Sequence, residues 1–204
     1  MNIAVFASGR GSNFQAILKA IEDGRLPACV TLLLSNNSNA GALDLARSRN
    51  IPAIHLNQKQ FSSESTYEER LLEVLAQHGV DMIALAGYMK RIPAKVIDQY
   101  WNKILNVHPA LLPAFGGTGM YGIHVHEAVL ASGIKTTGVT VHIVDEKYDE
   151  GPIVMQQTVE VLSNDTPETL AARVLVVEHE IYPKALAAFA SKRVRIEGRN
   201  VWIQ

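Results

Sequence analysis

Five short apolar runs, separated by polar or glycine-bearing turns and helix-length amphipathic stretches, divide the first 108 residues and restrict the fold more than anything else in the chain. The first run, NIAVFA at residues 2–7, ends in Ser8-Gly9-Arg10-Gly11-Ser12-Asn13. A run this short and unbroken, bounded by glycine, reads as a strand buried on both faces. Phe14, Ile17, Leu18 and Ile21 then recur at spacings of three and four, one face of a helix whose start Ser12 or Asn13 can cap. The pattern repeats with strands expected at 29–34, 51–56, 80–86 and 104–107, and helices at 41–49, 64–78 and 93–101. Pro93 opens the last helix, and His108-Pro109 stops the last strand. Such alternation predicts an open, mostly parallel twisted sheet with helices on both faces, a Rossmann-like α/β fold.

After Pro109 the rhythm changes. Residues 113–123 are glycine-rich and read as a long loop, followed by a short helix at 124–132. Residues 137–144 alternate, which predicts a strand with two unlike faces. A polar turn at 145–151 leads to a strand at 152–161, antiparallel to the one before it. Thr166-Pro167-Glu168-Thr169 supplies a cap, a first-turn proline and an early acid for a long helix at 166–190. Residues 192–203 form a hairpin turning at Gly198-Arg199-Asn200. No linker, repeat or low-complexity tract interrupts the 204 residues, so a single domain is expected.

Composition removes several classes of function. Lys plus Arg number 19 against 20 Asp plus Glu, a net charge of −1, which leaves no electrostatic footprint for nucleic acid or an anionic membrane. The single cysteine, Cys29, excludes an internal disulfide and a zinc knuckle and fits a reducing compartment. The start carries no basic segment followed by a long apolar one, and no run approaches ~18 apolar residues. A cytoplasmic protein is expected. His124 and His126 stand two apart and His142 lies on the alternating strand, but no tight His/Asp set accompanies them, so no metal is expected.

Three places can carry chemistry. Gly9 to Asn13 joins the first strand to the first helix, at the carboxyl edge where open parallel sheets bind ligands. A helix N-terminus there offers free N–H groups and partial positive charge, so a phosphate is the natural occupant; a tight turn that only needs glycine is the plainer alternative. Phe14 stands where GxGxxG requires glycine, and no Walker loop is present. Gly117 to Gly122 does satisfy GxGxxG, but it follows Pro113 rather than a strand and lacks a following helix with an acidic residue at the proper distance; a mobile lid or loop is the better reading. The second place is Asn106-Val107-His108-Pro109, where Asn106 and His108 point the same way from an extended chain. Imidazole moves protons near neutral pH, and an amide N–H stabilises an oxyanion. A histidine that merely hydrogen-bonds a neighbouring loop is the alternative. The third place is the turn holding Asp145, Glu146, Asp149 and Glu150. One of these carboxylates can pair with His108, and spacing alone does not choose among them.

With these residues in view, the chain resembles the folate-dependent glycinamide ribonucleotide formyltransferases of purine synthesis. The likeness runs through MNIAVFASGRGSNFQAI at the start, LAGYMKRI (85–92), ILNVHPALLP (104–113), TGVTVHIVDEKYDEGPIV (137–154) and VEHEIYP (177–183). It implies a nucleotide-binding half, 1–108, and a folate and catalytic half, 109–204. It further implies that Gly11, Ser12 and Asn13 hold the ribonucleotide phosphate and Glu178 its ribose or amine end. Met89, Lys90, Arg91, Ile92 and Asn106 would line the folate site. Asn106, a protonated His108 and Asp149 would be the catalytic trio, moving a formyl group from the co-substrate 10-formyltetrahydrofolate to an amine. Small-molecule substrates, no nucleic-acid or membrane partner, and a monomer or homodimer follow from the same likeness. The runner-up is a related 10-formyltetrahydrofolate-dependent transferase acting on another amine. The methionyl-tRNA enzyme of that kind carries an added basic C-terminal domain, whereas this chain ends one hairpin beyond its long helix. Glu64 and Leu175 stand where the family often has a folate-contacting arginine and a polar residue near the phosphate.

Overall fold

The computed structural model describes residues 1–204. In chain order the elements are β1 (Asn2–Phe6), α1 (Ser12–Glu22), β2 (Cys29–Ser35), α2 (Gly41–Ser48), β3 (Ala53–His55), α3 (Glu64–Gln77), β4 (Met82–Leu85), α4 (Ala94–Gln99), β5 (Ile104–His108), α5 (Ile123–Ser132), β6 (Thr136–Ile143), β7 (Ile153–Glu160), α6 (Pro167–Ala190), β8 (Val194–Glu197) and β9 (Asn200–Ile203). Seven strands form a mixed, mostly parallel sheet in the order β3-β2-β1-β4-β5-β6-β7, and β8-β9 form a separate hairpin. By internal packing the chain falls into two compact units, Met1–Leu105 and Asn106–Gln204.

In the first unit β1 pairs in parallel with β2 and β4, and β2 with β3. A strand flanked on both edges and covered on both faces needs apolar side chains at every position, and Ile3, Ala4, Val5 and Phe6 are fully buried. Phe14, Ile17 and Leu18 bury the inner face of α1, as their spacing predicts. The expected cap at Ser12 or Asn13 is not there. Ser12 already lies inside α1, and the N-cap is Gly11 at φ 85° with no side-chain oxygen on the first-turn amides. Two constraints select glycine at this position. The φ is left-handed, and a Cβ would stand 2.9 Å from that of Ala42. A polar knot closes the same edge. Ser8 Oγ contacts Asn36 Oδ1 at 2.5 Å and accepts the Met89 N–H at 2.8 Å, while Asn37 Nδ2 donates to the Ser8 carbonyl at 3.2 Å. The segment after β4 is thereby fastened to the loop after β1. A short 3₁₀ turn at Gln58–Gln60, capped by Asn57, went unpredicted because three residues show no periodicity.

In the second unit β6 and β7 pair antiparallel, as the sequence predicts, with Thr140 opposite Gln156 and Val141 opposite Met155. The Thr166 side chain accepts from Thr169 N in a capping box, and Pro167 occupies the first turn of α6. Strand β5 runs one residue further than expected, so His108 ends it rather than following it. Helix α5 starts at once after Gly122, although a turn and not a strand precedes that glycine-rich stretch. Glu197 pairs with Asn200, which leaves Gly198-Arg199 as a two-residue turn. No helix is long and apolar enough to cross a membrane.

Phe14 anchors α1 with no exposed surface. Phe14→Ala should lower the unfolding free energy by about 3–5 kcal/mol, read from urea titrations at unchanged m-value. A loss under about 1 kcal/mol would mean that α1 does not rest on this ring.

Candidate active site

The second unit brings together the polar side chains that β5, β6 and the turn after β6 contribute. Asn106 and His108 are two apart on β5. His108 is 3% exposed, and its Nε2–H donates to the Phe115 carbonyl at 2.7 Å. Its Nδ1 lies 3.6 Å from Asp149 Oδ2. The same carboxyl oxygen accepts the Gly117 N–H at 2.9 Å, and Oδ1 lies 3.5 Å from His142 Nε2. His142 donates from Nδ1 to the Ile143 carbonyl at 3.0 Å, so its Nε2 is free to accept from Asn106 Nδ2 at 3.1 Å. The result is one connected row: Asn106, His142, Asp149, His108, Phe115.

Of the four acids in the turn, Asp149 is the one that meets His108. Asp145 instead accepts from Lys147 N, and Glu150 pairs with Lys147. To reach inward, Asp149 takes a left-handed φ of 57°. For a side-chain-bearing residue this costs of order 1 kcal/mol, and it recurs at functional sites. Phe115, whose carbonyl receives the imidazole, is also left-handed at φ 56°.

Burial sets the charge states. It pushes His108 below its ordinary pKa of 6.5; Asp149 and the Phe115 carbonyl push back, and His142 adds to the lowering. That direction favours the neutral imidazole at rest. Burial also pushes Asp149 upward, but His142, His108 and the Gly117 N–H outweigh it and hold the carboxyl below its ordinary value. His126 on α5 is buried, its pKa lowered by desolvation and by His108, and its Nδ1 has no hydrogen-bond partner.

The remaining sequence candidates fall into place by unit. Gly11, Ser12 and Asn13 form the start of α1, whose first turn holds no acid to compete with an anion. Met89, Lys90 and Arg91 are exposed beside buried Ile92 in the segment held by Ser8, between β4 and α4. Glu178 is buried on α6 in the second unit. No group of three or more His, Cys, Asp or Glu is placed to hold a metal ion. His142, which the sequence offers only as a metal ligand, joins the row through Asn106 and Asp149. Its alternation with Thr140 on a strand leading to Asp149 was the available signal. The Phe115 carbonyl and the Gly117 amide left none, because backbone groups have no side-chain signature.

A family model described as formyl transferase matches residues 1–186. The chain belongs to the formyl transferase family. A chloroplastic phosphoribosylglycinamide formyltransferase of Arabidopsis thaliana is 45% identical over 95% of this chain, which spans 66% of that relative's length. The phosphoribosylglycinamide formyltransferase of Bacillus subtilis is 38% identical, over 90% of this chain and 91% of its own. Among solved structures, glycinamide ribonucleotide transformylase 1 of Symbiobacterium toebii superposes with a TM-score of 0.93 at 41% identity, covering 100% of this chain and 93% of that one.

Proton-coupled NMR of the His108 ring should give a titration midpoint below 6.5. In Asp149→Asn the midpoint should fall further, because the carboxylate that favours the imidazolium is gone. A midpoint that rises in the variant would contradict the pairing.

Proposed function

We propose that this chain transfers a formyl group from 10-formyltetrahydrofolate to the amine of glycinamide ribonucleotide, giving formylglycinamide ribonucleotide and tetrahydrofolate in purine synthesis. The observation that carries the reading is the row from Asn106 through buried His142 and half-buried Asp149 to buried His108, in a chain of the formyl transferase family. The names of its relatives favour this amine over others.

The uncapped start of α1 at Gly11, Ser12 and Asn13 suits the ribonucleotide phosphate, and Glu178 suits its ribose or amine end. Met89 offers an exposed thioether face for a flat ring, with the cations of Lys90 and Arg91 beside it for carboxylates and Ile92 beneath. The bound folate supplies an electrophilic formyl carbon on N10. Asn106 Nδ2 keeps one N–H for His142 and directs the other at the oxygen that gains charge when the amine attacks. A donor so placed is worth about 3–4 kcal/mol in the transition state. Neutral His108 accepts the proton that the amine loses, directly or through a water, and Asp149 stabilises the imidazolium formed. The proton passes to N10 as the C–N10 bond breaks, so a C–N bond replaces a C–N bond and one proton moves. Such a relay contributes about 10²–10⁴ in rate.

The near balance of charge favours small-molecule substrates over nucleic acid or membrane, with the protein acting as monomer or homodimer. The free thiol of Cys29 favours a cytoplasmic setting.

The test is a coupled assay with both substrates that follows the appearance of tetrahydrofolate. Turnover is expected, and His108→Ala should reduce kcat by about 10²-fold or more with an unchanged circular dichroism spectrum. No turnover with glycinamide ribonucleotide, or a His108→Ala enzyme of wild-type rate, would overturn the reading.

A further inference from the structure

At the carboxyl edge of the first unit the strands stop, but their hydrogen-bonded ladder continues. The Ala86 N–H donates to the Phe6 carbonyl at 2.8 Å and the Ser8 N–H to the Gly87 carbonyl at 3.0 Å, which carries the β1–β4 pairing two residues past both strands. Gly87 then turns the chain away with a left-handed φ of 72°. A side chain makes the next rung: Ser8 Oγ accepts the Met89 N–H at 2.8 Å and donates its own proton to Asn36 Oδ1 at 2.5 Å. Side chains take over beside it in the same way. Asn37 Nδ2 donates to the Ser8 carbonyl at 3.2 Å, and Asn57 Nδ2 to the Asn36 carbonyl at 2.7 Å. Asn57 is itself held by the 3₁₀ turn, where its N–H donates to Gln60 Oε1 at 2.6 Å and its Oδ1 accepts the Lys59 N–H at 3.0 Å. The chain Asn57, Asn36, Ser8, Met89 thus joins the loops after β3, β2, β1 and β4, which is the order of the strands in the sheet.

The segment at the end of this chain, between β4 and α4, has no regular structure of its own. Two side chains seat it from within. The half-buried Tyr88 ring meets Phe6 edge-on at 5.3 Å, with its hydroxyl 3.5 Å from that of Tyr67, and Ile92 is buried. The side chains between them, Met89, Lys90 and Arg91, are exposed, and Pro93 brings no N–H. The rung from Ser8 falls where the chain leaves the Tyr88 seat. It fixes the plane of the peptide that ends in the Met89 N–H, and with it the direction in which the exposed residues set out. An alanine at position 8 would leave that N–H and Asn36 Oδ1 without the hydroxyl that serves both. The start of α1 is fixed separately, by the Ala42 N–H on the Gly9 carbonyl at 3.1 Å and by Gly11 against Ala42.

We propose that Ser8, braced by Asn36, is a positioning residue for the co-substrate: its hydroxyl sets the Met89 peptide and thereby the face that residues 89–92 present to the folate. This rests on the function proposed above, in which that segment lines the folate site. Ser8 acts through Met89 and touches no reacting atom. Without the hydroxyl the segment samples other settings, and a site that is formed for only a fraction of the time binds with its affinity reduced by that fraction. The ribonucleotide phosphate at Gly11 to Asn13 should feel little of this, because the start of α1 has its own supports. Loss confined to one of the two ligands therefore separates a positioning role from general damage to the edge of the sheet.

The experiment titrates wild type, Ser8→Ala and Ser8→Thr by calorimetry with 10-formyltetrahydrofolate and with glycinamide ribonucleotide, each alone, and follows hydrogen exchange of the Met89 amide without ligand. In Ser8→Ala the Kd for 10-formyltetrahydrofolate should rise about tenfold, the Kd for the ribonucleotide should change less than about threefold, and the Met89 amide should exchange about tenfold faster or more. Ser8→Thr keeps the hydroxyl and should restore both the affinity and the protection. A Ser8→Ala protein with wild-type folate affinity overturns the proposal, as does one in which both ligands weaken alike, or a Ser8→Thr protein as impaired as Ser8→Ala. If Ser8→Ala does not fold, Asn36→Ala at the exposed side of the chain decides: weaker folate binding with faster Met89 exchange supports the proposal, and unaltered folate binding overturns it. A wild-type protein that binds no 10-formyltetrahydrofolate overturns the functional reading and the proposal together, whereas wild-type binding that Ser8→Ala leaves intact overturns the proposal alone.

Discussion

A carboxylate withdrawn from water is the constraint around which the second unit is arranged. Asp149 is tolerated there because the Gly117 N–H donates to it and two imidazoles lie beside it, and these neighbours together outweigh the cost of burial. Each partner fixes a different element. Gly117 fixes the loop after β5, His108 the end of β5, and His142 the end of β6. The left-handed backbone at residue 149 is the local cost of bringing the acid inward, offset by the contacts that only this conformation allows.

Buried charge also explains why the two imidazoles differ in role. Each has one nitrogen committed to a backbone carbonyl, Phe115 for His108 and Ile143 for His142, so each ring is oriented before any substrate arrives. The nitrogens left over face the same carboxylate. On His142 that nitrogen also receives the Asn106 amide, which orients a donor. On His108 it has only Asp149 within ion-pair distance and is available to take up a proton.

The first unit was largely legible in the sequence, because a strand covered on both faces must be apolar throughout and a covering helix must be apolar at spacings of three and four. Ile3 to Phe6 and Phe14 to Leu18 obey both rules. The cap was misread, because Ser12 and Asn13 have the right chemistry while the steric demand came from Ala42, a residue distant in sequence. In the second unit the alternation of β6 was legible, and so were Asn106 and His108 at the end of a strand. The choice of Asp149 over its three acidic neighbours was not, since it depends on how the turn folds back. Nor were the backbone groups of Phe115 and Gly117, which any residue type could supply. His142 was visible as a residue and missed as a participant, because its partner Asn106 lies 36 positions earlier.

The central claim is that a neutral His108 beside an ionised Asp149 carries the proton in formyl transfer. The pH dependence of kcat at saturating substrates tests it most directly, because it reports ionisation within the bound complex. A rate that falls on acidification, as the imidazole takes up a proton before the reaction begins, is the expected result. A rate that climbs as pH drops through the titration of that ring would show that the charged form is the active one and would contradict the claim.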